Sequence, residues 1–99
     1  MHNLDKTEKI NNLLELYGSL LTEKQYNIMN MYYCYDLSLS EIAENEKISR
    51  AAVYDLIKRT CNILEDYENK LSLYKKRKEL EEIIISLPED IRKKIERII

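Results

Sequence analysis

Apolar residues recur at intervals of three and four along nearly the whole chain, and capping residues cut this helical pattern into segments. Ile10, Leu13, Leu14 and Tyr17 predict a first helix from about Lys6 to Tyr17, with Asp5 and Glu8 as a capping pair. Gly18 follows where a helix end favours a left-handed residue. Thr22 and Gln25 form a capping box that opens a second helix, with Tyr26, Met29, Tyr32 and Tyr33 on its apolar side and its end near Asp36. Ser38 and Glu41 form another box, with Ser40 as the rival cap, and start a short third helix whose inward residues are Ile42 and Ala43. Ser49 caps a fourth helix with Val53, Leu56, Ile57 and Thr60 on one face. Its apolar spacing continues through Leu64, Tyr67, Leu71 and Tyr74, breaks at Lys75 to Lys78, and resumes out of phase at Leu80, Ile83, Ile84 and Leu87. Pro88 cannot sit inside a helix, so the fourth helix ends by about Ser86 and a fifth follows with Ile91, Ile95, Ile98 and Ile99 on one stripe. The fold class is all-α.

A fourth helix running from Ser49 to Ile85 would be about 55 Å long, and eleven residues of the fifth would shield only about 17 Å of it. The first three helices lie far away along its axis. A second subunit is therefore expected to cover Leu64, Tyr67, Leu71, Tyr74, Leu80 and Ile84, giving a homodimer. In domain terms, residues 1–99 form one domain: a helical part over 1–63, then a dimerising extension over 64–99.

Length and composition agree with this reading. At 99 residues with one Gly and one Pro, the chain has too little turn chemistry for an all-β fold, and too small a core to dispense lightly with oligomerisation. The net charge of −2 makes no global field for nucleic acid, but the charge is uneven. Residues 22–48 are acidic (Glu23, Asp36, Glu41, Glu44 and Glu46 against Lys24 and Lys47), whereas 49–64 are basic (Arg50, Lys58 and Arg59 against Asp55). Cys34 and Cys61 have neither CxxC spacing nor a His partner, and are expected as reduced, half-buried thiols. With no apolar run near the roughly 20 residues a bilayer span needs and no apolar signal segment, the expectation is a soluble, cytoplasmic protein without membrane contact.

Catalysis fails on inventory. The one His, His2, lies in a terminus expected to fray; the single Gly excludes a phosphate-cradling loop; neither Cys has a nucleophile or metal motif. No enzyme activity, cofactor or metal is expected. Six of the eight Tyr (Tyr17, Tyr26, Tyr32, Tyr33, Tyr67 and Tyr74) fall at core spacing, while Tyr54 falls on the outward face of the fourth helix.

One stretch carries specific information. Residues 38–59, SLSEIAENEKISRAAVYDLIKR, have the spacing of a helix-turn-helix: small Ala43 at the crossing, Ile48 in the turn, Val53 and Leu56 packing the second helix. Glu46 takes a slot that is usually apolar, and Lys47 takes the turn position usually given to Gly. On these residues, within LLTEKQYNIMNMYYCYDLSLSEIAENEKISRAAVYDLIKRTCNILEDYENKL, the chain resembles the YlxM family of small bacterial proteins, whose helix-turn-helix is similar to region 4 of sigma-70-type factors. The SLSEIAE, ISRAAVYD and IKRT segments carry most of the likeness. The resemblance implies a DNA-binding regulatory protein associated with the signal recognition particle pathway, with the particle's RNA or GTPase as further partners.

On that motif, the candidate DNA-contacting residues are Ser49, Arg50, Ala51, Ala52, Tyr54, Asp55, Lys58 and Arg59. Bidentate base readout needs Arg, Lys, Asn or Gln, and only Arg50, Lys58 and Arg59 supply it; Ala51 or Ala52 suits a thymine methyl, Tyr54 a phosphate or base, and Asp55 a cytosine amino group. An exposed Asp55–Lys58 pair is the bland reading of two of these. The acidic stretch before them favours a different class of function, a protein or RNA interaction module that uses the helix-turn-helix as a docking surface.

Overall fold

A computed structural model describes residues 4–99, so His2 lies outside the described residues. It contains α1 (Leu4–Tyr17), a 3-10 turn (Gly18–Leu20), α2 (Glu23–Tyr33), α3 (Leu39–Glu46), α4 (Arg50–Leu71), α5 (Leu73–Ile84) and α6 (Glu89–Ile98), with no strand among the described residues. The fold is all-α. Asp5 already sits in the first turn of α1 and does not precede it. Three later starts are capped by side chains as the sequence predicts. Thr22 Oγ1 accepts from the Gln25 N–H at 3.2 Å, Ser38 Oγ from Glu41 at 3.0 Å, and Ser49 Oγ from Ala52 at 3.0 Å. Ser38, not Ser40, is therefore the cap of α3. The Glu41 carboxylate is held below the usual range by the Ser38 backbone N–H it accepts and by the Ser38 side chain.

The core is built on α4. Ile10, Leu13, Leu14 and Tyr17 of α1, Ile28, Met29 and Tyr33 of α2, and Ile42 and Ala43 of α3 close around Val53, Ile57 and Leu64. Thr60, fully buried among them, satisfies its hydroxyl by donating to the Leu56 carbonyl at 2.7 Å. Two expectations about the first turn region are corrected here. Gly18 has no positive φ; it opens the 3-10 turn, and what excludes a side chain is the Tyr26 ring, 2.7 Å from where a Cβ would stand. Tyr26 itself is not a core residue, being 39% exposed as it leans over Gly18.

The larger correction concerns the fourth helix. It does not run unbroken towards Ser86 but stops at Ser72, which adopts a left-handed conformation (φ 56°, ψ 29°), and α5 starts anew. Glu68 accounts for the break. Its Oε1 accepts from the Tyr74 N–H at 3.0 Å and its Oε2 from the Lys75 N–H at 3.1 Å, so a carboxylate from the preceding helix caps α5. Tyr17 locks the joint by donating its hydroxyl to Glu68 Oε1 at 2.7 Å and accepting the Leu73 N–H at 3.2 Å.

Most of the anticipated dimer seam is thereby used inside the chain. Leu64 is fully buried in the core, the Tyr67 ring lies 5.9 Å from that of Tyr17, Tyr74 packs on the core, and Ile84 is 3% exposed. The first helices do not lie far from this stretch, because α1 packs along α4 and reaches α5. Of the six seam residues, Leu71 is exposed and Leu80 half-buried. The last two helices form an antiparallel hairpin: Arg77 of α5 donates to the Ile99 carbonyl at 3.4 Å and lies 3.8 Å from Glu15 of α1. Nothing in α6 is buried.

Both cysteines are free thiols. Cys34 is exposed, not half-buried, and Cys61 is half-buried with its sulfur 3.5 Å from the Tyr33 hydroxyl. Burial pushes the Cys61 thiol upwards in pKa, which keeps it protonated at neutral pH. Among the described residues no group of His, Cys, Asp and Glu is arranged to hold a metal ion, and no helix is long and apolar enough to cross a membrane.

Candidate nucleic-acid interface

The geometry of residues 38–59 begins with packing at Ala43. Its small side chain, 9% exposed, lets α3 approach the core closely, and Ile42 beside it is fully buried. The helix must then turn within three residues. Lys47 takes the left-handed conformation (φ 57°, ψ 41°), and both its own N–H and that of Ile48, at 3.1 Å, close on the Ala43 carbonyl. Ser49 restarts the chain as α4. Glu46, in the slot that favours an apolar residue, stays half-buried and accepts from Asn45 at 3.1 Å.

A non-Gly residue at positive φ is strained, and Lys47 is exposed, so nothing in its packing offsets that strain. Lys47→Gly is expected to raise stability by about 0.5–1 kcal/mol, the relief exceeding the extra chain entropy of Gly. Urea unfolding followed by circular dichroism reads this directly; a lower midpoint in the variant would show that the lysine side chain contributes more than its backbone strain removes.

All eight residues singled out from the sequence lie on exposed positions at the start of α4. Their availability differs. The Ser49 hydroxyl is occupied as the helix cap. The anticipated Asp55–Lys58 pair is replaced by Asp55–Arg59, with Arg59 Nε 2.9 Å from Asp55 Oδ2. That leaves Arg50 and Lys58 as the cations of this face without an ion pair among the described residues, about 12 Å apart along the helix. The first turn of α4 has no acidic residue, and the Ser49 side chain caps only the third N–H, so the positive end of the helix is open. Ala51 and Ala52 add no bulk between Arg50 and Tyr54, which is 57% exposed.

One feature was not anticipated. Tyr54 and Lys58 line a groove of about 300 Å³ together with Lys6, Tyr32, Leu39 and Cys61. These residues come from four helices, and no local pattern marks them. The neighbouring α3 is acidic, carrying Glu41, Glu44 and Glu46 and no basic residue.

The family described as "Putative helix-turn-helix protein, YlxM / p13 like" (UPF0122) matches residues 4–98. The chain is 53% identical over 90 residues to a UPF0122 protein of Halalkalibacterium halodurans, covering 91% of this chain and 83% of that one. It is 59% identical over 68 residues to one from Clostridium perfringens, covering 69% of this chain and 61% of that one. A third, from Fusobacterium nucleatum subsp. nucleatum, is 47% identical over 97 residues, or 97% and 94% of the two chains.

Proposed function

The chain belongs to the UPF0122 family of YlxM / p13-like helix-turn-helix proteins, and from that premise we propose that it is a cytoplasmic regulatory protein that binds duplex DNA through the first three turns of α4. The observation that carries this reading is the pair of unpaired cations, Arg50 and Lys58, on an exposed helix whose open N-terminus also favours anions. In this arrangement Arg50 and Lys58 neutralise phosphates, Ala51 and Ala52 let the helix approach thymine methyl groups, and Tyr54 contacts a phosphate or an adjacent base. Asp55 holds Arg59 off the backbone and is itself suited to a cytosine amino group. The protein acts by binding, not by catalysis. The family resemblance supports a role in the signal recognition particle pathway, with the particle's RNA and its GTPase as partners to test beside DNA.

A second reading has its own observation. The groove between Tyr54, Lys58 and Tyr32, next to an acidic α3, suits an RNA or protein segment better than a long duplex. Salt separates duplex binding from docking of a protein segment, because each phosphate contact releases counterions whereas apolar docking does not.

The test is a fluorescence anisotropy titration of labelled duplex DNA at two salt concentrations, with the Arg50→Ala/Lys58→Ala double variant in parallel. The wild type is expected to bind with steep salt dependence, and the double variant to lose about tenfold in affinity and about two units of slope. Absence of duplex binding at low salt, or equal binding by the variant, would overturn the DNA reading. Binding to the particle's RNA alone would establish the docking one.

A further inference from the structure

The tail of the molecule leaves apolar surface that its own fold does not cover. Among the described residues, seven of the eleven large hydrophobic side chains exposed to solvent fall between Leu71 and Ile99. The side of α5 that turns inwards carries Arg77, bonded to Glu15 and Ile99, and the buried Ile84. Beside it, at about 40°, 60° and 120° around the helix from Arg77, lie Leu73, Leu80 and Ile83; Leu73 and Ile83 are 43% and 60% exposed and Leu80 is half-buried. With Lys76 between them, these positions are spaced three, four and three apart, which is the seam of a two-stranded coiled coil.

The charge order of α5 indicates what covers that seam. Lys75, Lys76, Arg77 and Lys78 stand at its N-terminal end and Glu79, Glu81 and Glu82 towards its C-terminal end. This opposes the helix's own dipole, which favours acid first and base last. The order becomes favourable when another α5 lies antiparallel beside it. Turned about a two-fold axis through its midpoint, the stripe matches itself: Leu73 stands level with Ile83 of the other copy, Lys76 with Leu80, and Lys76 comes within reach of Glu79. Neither Lys76 nor Glu79 has an ion-pair partner among the described residues.

We propose that a second copy of this chain docks antiparallel on the Leu73–Leu80–Ile83 face of α5, with reciprocal Lys76–Glu79 pairs flanking the seam. This surface is separate from the N-terminal face of α4, and the inference does not rest on the DNA reading. An isologous contact uses each pair twice, so a charge reversal is felt twice.

Sedimentation equilibrium of the full chain, at tens of micromolar, tests it. The wild type is expected at twice the chain mass. Ile83→Lys, at a solvent-facing position, is expected to be monomeric with unchanged helical circular dichroism. Lys76→Glu is expected to weaken association by about tenfold, and Lys76→Glu/Glu79→Lys to restore it. A monomeric wild type would overturn the proposal, as would a dimer that survives Ile83→Lys. A double reversal that fails to restore association would rule out the antiparallel register.

Discussion

Replacing Leu64 with Ala is expected to lower the free energy of unfolding by about 3 kcal/mol, the range for deleting a buried leucine side chain and leaving part of its cavity open. Leu64 has no exposed surface and belongs to the same core as Tyr17, Leu13 and Ile57. For a chain of 99 residues that loss is a large share of total stability. The result also distinguishes two roles for this position. A residue in a seam between subunits would, on truncation, dissociate the protein and leave each chain folded. A residue that joins α1 to α4 should unfold the chain at lower denaturant without first changing its mass. Urea unfolding at fixed chain concentration, with sedimentation of the same samples, separates the outcomes; a variant as stable as the wild type but dissociated would return Leu64 to the seam.

The second large effect belongs to Glu68. Its carboxylate accepts the Tyr17 hydroxyl and the N–H groups of Tyr74 and Lys75, three hydrogen bonds made to one ionised group. Burial alone would raise its pKa. The Tyr17 hydroxyl, the two backbone N–H groups and the Lys9 charge outweigh that, and the group is held below the usual carboxylate range. Glu68→Ala leaves the first turn of α5 uncapped and the hydroxyl of the buried Tyr17 without its acceptor, and is expected to cost about 2–4 kcal/mol. The pH dependence has a definite sign. A carboxyl with a lowered folded pKa contributes stability that is complete above its unfolded value of about 4.3 and is lost as pH falls through the folded value. The stability difference between wild type and Glu68→Gln should therefore be full at neutral pH and shrink as pH falls below about 4.3. A difference that stays constant over that interval would mean that Glu68 acts by shape alone, without its charge.

The joint that Glu68 holds marks where sequence pattern stops being informative. Leu64, Tyr67, Leu71 and Tyr74 keep helical spacing across Ser72, because one left-handed residue shifts the direction of the chain without changing which residue types follow. The cause of the break lies four residues upstream in a side chain, and in a tyrosine 51 residues away from it. The same limit applies at the candidate interface. Exposure of Arg50, Tyr54 and Lys58 follows from their positions between the core residues of α4, and the capping residues before α2, α3 and α4 are legible because capping is local chemistry. The groove against Tyr32 and Lys6 is not legible, since it is assembled from helices whose relative placement no short-range pattern encodes.

By itself, then, the sequence determined the helices apart from the break at Ser72, three of their caps, the helix-turn-helix and the face of α4 turned to solvent, all of which depend on residues within a few positions of one another. The tertiary structure alone decided which cation Asp55 would hold, that Leu64 and Ile84 would be core, and that the ring of Tyr26 would crowd a side chain at position 18. It also decided where the long helix ends. These outcomes turn on side chains brought together from distant segments, and on choices between neighbouring partners that three-dimensional packing makes.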